Sequence, residues 1–208
     1  MILKPIKSEI NLRNKDKLKG YNLFLKNLTK KLDLIKNNNT KLQCKKIIHY
    51  LTKNLEKKKF DNFHIIRVSY YCLKYADFKY KDQICKLALV HNIHEKKNNS
   101  KTIKKMVDKK TLNLAKILQV NRKKQWEKVY IRNYYKRLNN SSNLIKIVKC
   151  LDKFDNLFNL HKNPELKIKR LYLKEIKLFI LPLVKKNLPN LFKYYKKLFE
   201  YNLRLIKQ

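Results

Sequence analysis

Glycine occurs once in this chain of 208 residues, at Gly20, and proline four times. Sheets and tight hairpins depend on glycine, proline and asparagine to reverse the chain within a few residues. A chain so poor in turn residues is left with helices. The remaining composition agrees, because leucine and lysine, both good helix formers, are abundant. Hydrophobic residues reach 44%, enough for a packed core. At this length one generous all-α domain, with or without a helical extension, is expected.

Apolar residues recur at three- and four-residue steps along the chain. Tyr21, Phe24, Leu28, Leu32 and Ile35 form one stripe, which ends at the asparagines 37–39. Thr40 then reads as the N-cap of a helix through Leu42, Ile47, Tyr50 and Leu51. The charged run 56–63 is a connection, followed by a helix bearing Ile65, Val68, Cys72 and Tyr75 and another bearing Ile84, Leu87, Ala88 and Val90. Ser100 is placed to cap one helix carrying Ile103, Val107, Leu112, Ala115 and Leu118. The strongest stripe is Leu144, Ile147, Val148, Leu151, Phe154 and Phe158. The last helices hold Leu171, Leu173, Ile176, Phe179 and Ile180, then Leu191, Tyr195, Leu198 and Tyr201. No repeat is evident.

Charge narrows the partners. Lysine and arginine total 53 against 15 acids, a formal net charge of +38. Such a chain repels itself and binds polyanions. Only seven of the cations are arginine, and asparagine, isoleucine and tyrosine are plentiful, as A+T-rich coding produces. That bias accounts for lysine over arginine but not for the shortage of acids. RNA is the first expected partner and an anionic membrane surface the second. The basic, aromatic segment 122–137 is the best candidate for RNA contact, through Arg122, Lys123, Lys124, Trp126, Arg132, Lys136 and Arg137. Lys193, Lys196 and Lys197 come next. Aromatics in such segments either stack on unpaired bases or turn into the core, and Tyr134 and Tyr135 are open to both readings.

Cys44, Cys72, Cys85 and Cys150 are widely spaced, without paired Cys/His clusters, so neither a zinc finger nor a disulfide framework is expected. The longest apolar run, Leu178 to Val184, contains Pro182 and falls far short of the ~20 residues of a membrane span. The N-terminal stretch lacks an apolar signal core and carries Glu9 and Asp16, a poor transit peptide.

Two histidines and a glutamate fall close together in "ALVHNIHE", residues 88–95. His91 closes one apolar stripe, His64 opens another, and Asp152 and Asn156 lie four apart on one face of the strongest helix. Polar groups at the edge of an apolar stripe are costly to bury without partners. A divalent ion held by His64, His91 and Asp152 would satisfy them. Singly, each has a plainer reading as a cap, a surface residue or a lysine partner.

In order and spacing, "HIIRVS" from His64, "HNIHEK" from His91, "LDKFDN" from Leu151 and "EIKLFILPLV" from Glu175 resemble the HD-domain metal hydrolases of the RelA/SpoT type. That branch removes pyrophosphate from (p)ppGpp. The resemblance spans about residues 60–204 and includes the seven-residue step from Glu175 to Pro182. It implies an HD-like helical domain over 56–208, preceded by a basic helical N-terminal extension over 1–55. It also implies a metal, manganese in an active member, on His64, His91, position 92 and Asp152, with Glu95 and Asn156 in catalysis. Lys57–Lys59 correspond to basic residues ahead of the first histidine.

The departures bear on chemistry. Asn92 stands where the family has an aspartate, which removes one anionic ligand. Lys96 stands where a second acid is expected beside Glu95, and a cation there cannot take a proton from water. His94 is a conceivable substitute ligand. The expectation is therefore an HD scaffold with a degenerate metal site and no resident cofactor, serving as an RNA-binding structural protein. The setting expected is rRNA and neighbouring ribosomal proteins, in a mitochondrial or other organellar ribosome, or else in the cytoplasm of an A+T-rich organism. The alternative is a surviving metal-dependent (p)ppGpp pyrophosphohydrolase.

Overall fold

A computed structural model of the chain describes residues 3–15, 17–53, 62–94 and 100–206. Among the described residues every regular element is helical and none is a strand. In order they are α1 (Leu3–Lys15), α2 (Lys17–Lys31), α3 (Asn38–Lys53), α4 (Asn62–Tyr75), α5 (Lys81–Val90), α6 (Ser100–Lys105) and α7 (Lys109–Leu118). Then follow α8 (Lys128–Asn139), α9 (Asn143–Asn159), α10 (Leu166–Glu175), α11 (Leu181–Asn187) and α12 (Pro189–Leu205). Among the described residues no helix is long and apolar enough to cross a membrane.

The strongest apolar stripe becomes the central helix. α9 packs against α1, α4, α5, α7, α8, α11 and α12. It is buried almost all round, as a helix enclosed by others must be. Phe154 shows why. Fully buried, it meets Tyr71 at 5.3 Å, Phe158 at 5.2 Å and Tyr195 at 5.1 Å between ring centroids, mostly edge to face. Residues of the first 55 share this core: Ile6, Ile10, Phe24, Leu28, Leu32, Ile47 and Leu51 belong to the same hydrophobic cluster as α9.

Three local expectations need correcting. The cap of α3 is Asn37, whose Oδ1 accepts from the Thr40 amide at 2.8 Å, while Thr40 lies inside the first turn. The single helix expected after Ser100 is two, because Asp108 accepts from the Thr111 amide at 2.8 Å and starts α7 afresh. Between α10 and α11 the chain widens into a π turn, Ile176–Ile180, in which the Leu181 amide donates to the Ile176 carbonyl. Pro182 lacks an amide proton and its ring crowds the preceding turn, so the wider turn absorbs the break. It keeps Leu173, Ile176, Ile180 and Val184 facing the core.

Replacing Phe154 with alanine should lower stability by about 3–5 kcal/mol, measured by urea unfolding. Leu178→Ala, at a side chain 53% exposed, should change it by less than about 0.5 kcal/mol.

Candidate functional site

Four buried charged residues follow one another along α9: Lys149, Asp152, Lys153 and Asp155. Burial of so much charge is costly unless every group is matched, and each one is. Lys149 Nζ lies 3.0 Å from Asp152 Oδ2. Lys153 Nζ lies 2.8 Å from Glu175 on α10, whose carboxylate also accepts from the Tyr135 hydroxyl at 2.6 Å. Asp155 meets Arg67 of α4 through two bonds, at 2.8 and 3.0 Å, and Arg13 of α1 at 2.9 Å.

The two histidines are brought to this helix from either side. His64 sits in the first turn of α4 and His91 just beyond α5, both buried. His64 Nε2 is 3.2 Å from His91 Nε2 and 3.2 Å from Asp152 Oδ1, and His91 Nε2 is 3.9 Å from the same oxygen. The sequence-predicted trio of His64, His91 and Asp152 therefore converges, with ligand atoms all within 4.8 Å of one another. Asn156 joins it, its Nδ2 donating to Asp152 Oδ1 at 3.0 Å.

Outer partners fix the imidazoles. His91 Nδ1 faces the Ala88 carbonyl at 2.6 Å. A carbonyl only accepts, so Nδ1 carries the proton and Nε2 offers its lone pair to the cluster. His64 Nδ1 likewise donates to Asp155 Oδ2 at 2.8 Å.

Electrostatics separates the two rings. Burial by itself disfavours the His64 cation, but hydrogen bonds to Asp152 and Asp155 and their charges outweigh it and raise its pKa to about 9. Burial lowers His91 to about 4, helped by the positive His64 and Lys149 and opposed by Asp152. Burial would raise Asp152, yet Lys149, then His64, hold it well below the carboxylate range. For Asp155 burial is overcome first by Arg67 and then by Arg13, so it too stays ionised. The cluster is an imidazolium beside a neutral imidazole, between two carboxylates.

Two bonds of about 2.1 Å at a roughly tetrahedral angle place donors about 3.4 Å apart, near the spacing of this trio. The donor set of two imidazoles and one carboxylate suits a borderline ion such as zinc. It suits manganese less, since a hard ion prefers carboxylate oxygen and Asn92 supplies none. Asn92 occupies the half-buried turn after His91. His94 is directed elsewhere, with its Nε2 3.2 Å from the Leu112 carbonyl. Glu95, Lys96 and Lys57–Lys59 lie outside the described residues.

The basic candidates lie mostly at the surface, in the turn before α8, on α8 and on α12. Arg122, Lys123 and Lys124 are exposed in the turn before α8, and Arg132, Lys136 and Arg137 are exposed along it. Trp126 is half-buried, Lys193 and Lys196 are exposed, and Lys197 is half-buried on α12. The tyrosines turn away from that surface. Tyr134 is buried and donates to the Leu118 carbonyl at 3.0 Å, and Tyr135 is bound to Glu175. Tyr195 is buried with its hydroxyl 3.2 Å from the Cys150 carbonyl. None of the three offers a face to a base.

The sequence pattern did not single out Lys149, Asp155 or the two arginines that pair with Asp155. A usable signal was the scarcity of acids: with only 15 in the chain, Asp152, Asp155 and Glu175 fall within strongly apolar stretches.

No family model matches the chain, and no curated protein matches it.

In metal-free solution the imidazolium of His64 contributes stability that is complete below the unfolded value near 6.5 and is lost as pH rises through about 9. The difference in urea midpoint between the native protein and His64→Gln should be largest near pH 6 and shrink towards pH 10. A difference that grows with pH contradicts the assignment.

Proposed function

We propose that this chain is an RNA-binding structural protein on an HD-like helical scaffold, a component of a ribonucleoprotein such as an organellar ribosome. The observation that carries the reading is the division of charge. The buried carboxylates Asp152, Asp155 and Glu175 are matched internally by Lys149, Lys153, Arg13, Arg67 and His64. The outer face is left with a large excess. From 121 to 140 seven cations stand against Glu127 alone, and all seven are exposed. Lys128, Arg132 and Lys136 follow at four-residue steps, a row of positive charge rising about 6 Å each time. A row of that kind suits phosphate backbone, which positions a protein without reading sequence. With Tyr134 and Tyr135 turned inward, base stacking contributes little along α8.

Binding to a structured RNA should weaken steeply with salt. Changing Lys128, Arg132 and Lys136 together to glutamine should reduce the slope of log affinity against log salt by about 2–3, at roughly 0.7–0.9 per phosphate contact. An unchanged slope and affinity would remove α8 from the interface.

A second reading is favoured by one specific observation, the convergence of His64, His91 and Asp152. In it the protein is a metal-dependent pyrophosphohydrolase acting on (p)ppGpp or a related nucleotide. Those three residues would hold the ion, which activates water and polarises a phosphoryl group when bound. Asn156 steadies Asp152. Calorimetry should then show one equivalent of zinc bound more tightly than manganese, with binding lost in His64→Ala. Absence of both metal binding and (p)ppGpp hydrolysis would dispose of this reading while leaving the first intact.

A further inference from the structure

Asp155 is not one of the three converging donors, yet it governs one of them. It lies one turn along α9 from Asp152 and is fully buried. Its Oδ2 accepts from His64 Nδ1 at 2.8 Å and from an Arg67 terminal nitrogen at 3.0 Å. Its Oδ1 accepts from Arg67 Nε at 2.8 Å and lies 2.9 Å from an Arg13 terminal nitrogen.

Arg13 arrives from α1, distant in sequence, and is itself buried. It is clamped in turn. Its Nη2 donates to the Tyr71 hydroxyl at 2.6 Å and to Glu9 Oε1 at 2.7 Å, its Nη1 donates to the Asp155 carbonyl at 3.3 Å, and its guanidinium lies 4.4 Å over the Phe158 ring. Tyr71 also donates to Glu9. Two guanidiniums thus leave the Asp155 carboxylate one orientation, in which Oδ2 faces His64. A flip of the His64 ring would carry its Nδ1 proton away and leave a buried carboxylate oxygen short of a donor, which is costly. The ring is therefore held with Nε2 towards His91 and Asp152.

We infer that Asp155 is the positioning residue of the histidine cluster and that α1, through Arg13, is an integral part of that site. A histidine oriented through its far nitrogen by a fixed carboxylate is a general requirement for a well-made metal ligand. The consequence for ion affinity rests on the cation-binding reading of His64, His91 and Asp152. The orientation of His64 does not.

The test uses the full chain with 15N-labelled histidine, first free of metal and then titrated with cobalt(II). In the metal-free native protein the His64 Nδ1 proton should give a downfield, slowly exchanging imidazole resonance. Arg13→Met should broaden or abolish that resonance, Arg13→Lys should preserve it, and Asp155→Asn should shift it upfield and speed its exchange. Tyr71→Phe, which removes one anchor of Arg13 without removing any charge, is the milder variant should Arg13→Met fail to fold, and it should give an intermediate effect. Cobalt affinity should fall roughly 10- to 100-fold in Arg13→Met and Asp155→Asn and recover in Arg13→Lys. If the resonance responds as expected but no variant binds cobalt, nor the native protein, the cation reading fails and the positioning role stands. If folded Arg13→Met and Tyr71→Phe keep the native resonance and the native cobalt affinity, Arg13 is a packing residue and the inference is overturned.

Discussion

The carboxylate of Asp155 is the constraint around which the helices are arranged. It is fully buried at the centre of the most enclosed helix, where an unmatched charge would cost several kcal/mol. Its matching groups come from two other helices, Arg67 and His64 from α4 and Arg13 from α1. Apolar packing would tolerate small slips of one helix along another, because dispersion is not directional. Hydrogen-bonded ion pairs do not tolerate them. Breaking a buried pair by removing one partner typically costs about 3–5 kcal/mol. The polar centre therefore sets the register in which α1, α4 and α9 meet, while the surrounding aromatic and aliphatic residues supply most of the burial.

The same helix ties this centre to the rest of the molecule. One turn before Asp155, Asp152 is shared between Lys149 and the histidines, and Lys153 points towards Glu175 at the start of the π turn. Glu175 in turn holds Tyr135, the inward face of α8, and the Tyr135 ring stacks on Phe179 at 4.5 Å. α8 thus has two unlike faces: one joins the buried network and the other presents Lys128, Arg132 and Lys136 to solvent. Inside, charges of opposite sign are paired and fix the fold. Outside, charges of one sign repel each other, and a polyanion laid against them would relieve that repulsion. His64 is the point where this network meets the second histidine, its Nε2 lying 3.2 Å from both His91 Nε2 and Asp152 Oδ1.

Most of the fold was legible as periodicity. The stripe from Leu144 to Phe158 read as a helix and is one, and the stripes of α4, α5 and α12 were equally plain, because a buried face repeats every 3.6 residues whatever it packs against. The breaks were less legible. Asn37 and Asp108 are caps by virtue of single hydrogen bonds, and several residues near each could have served. The π turn follows from Pro182, but a proline in a helical stretch also fits a kink or a stop. His64, His91, Asp152 and Asn156, expected together from their order and spacing, do converge. Asp155 and Lys149 were not expected with them, because in a chain with 53 cations any acid has a lysine within reach in sequence and no single pairing stands out.

The sequence by itself determined that the chain is helical, which faces are apolar, and that its surface carries a large positive excess. These are sums and periods, readable without knowing what lies opposite. Only the tertiary structure decided that Arg13 meets Asp155 across 142 residues, that His64 and His91 share Asp152, and that Tyr134 and Tyr135 face inward rather than towards a ligand. Each depends on which helices become neighbours and at what register. That choice belongs to the whole core, because a buried charge is stable only where a partner from another helix arrives within about 3 Å of it.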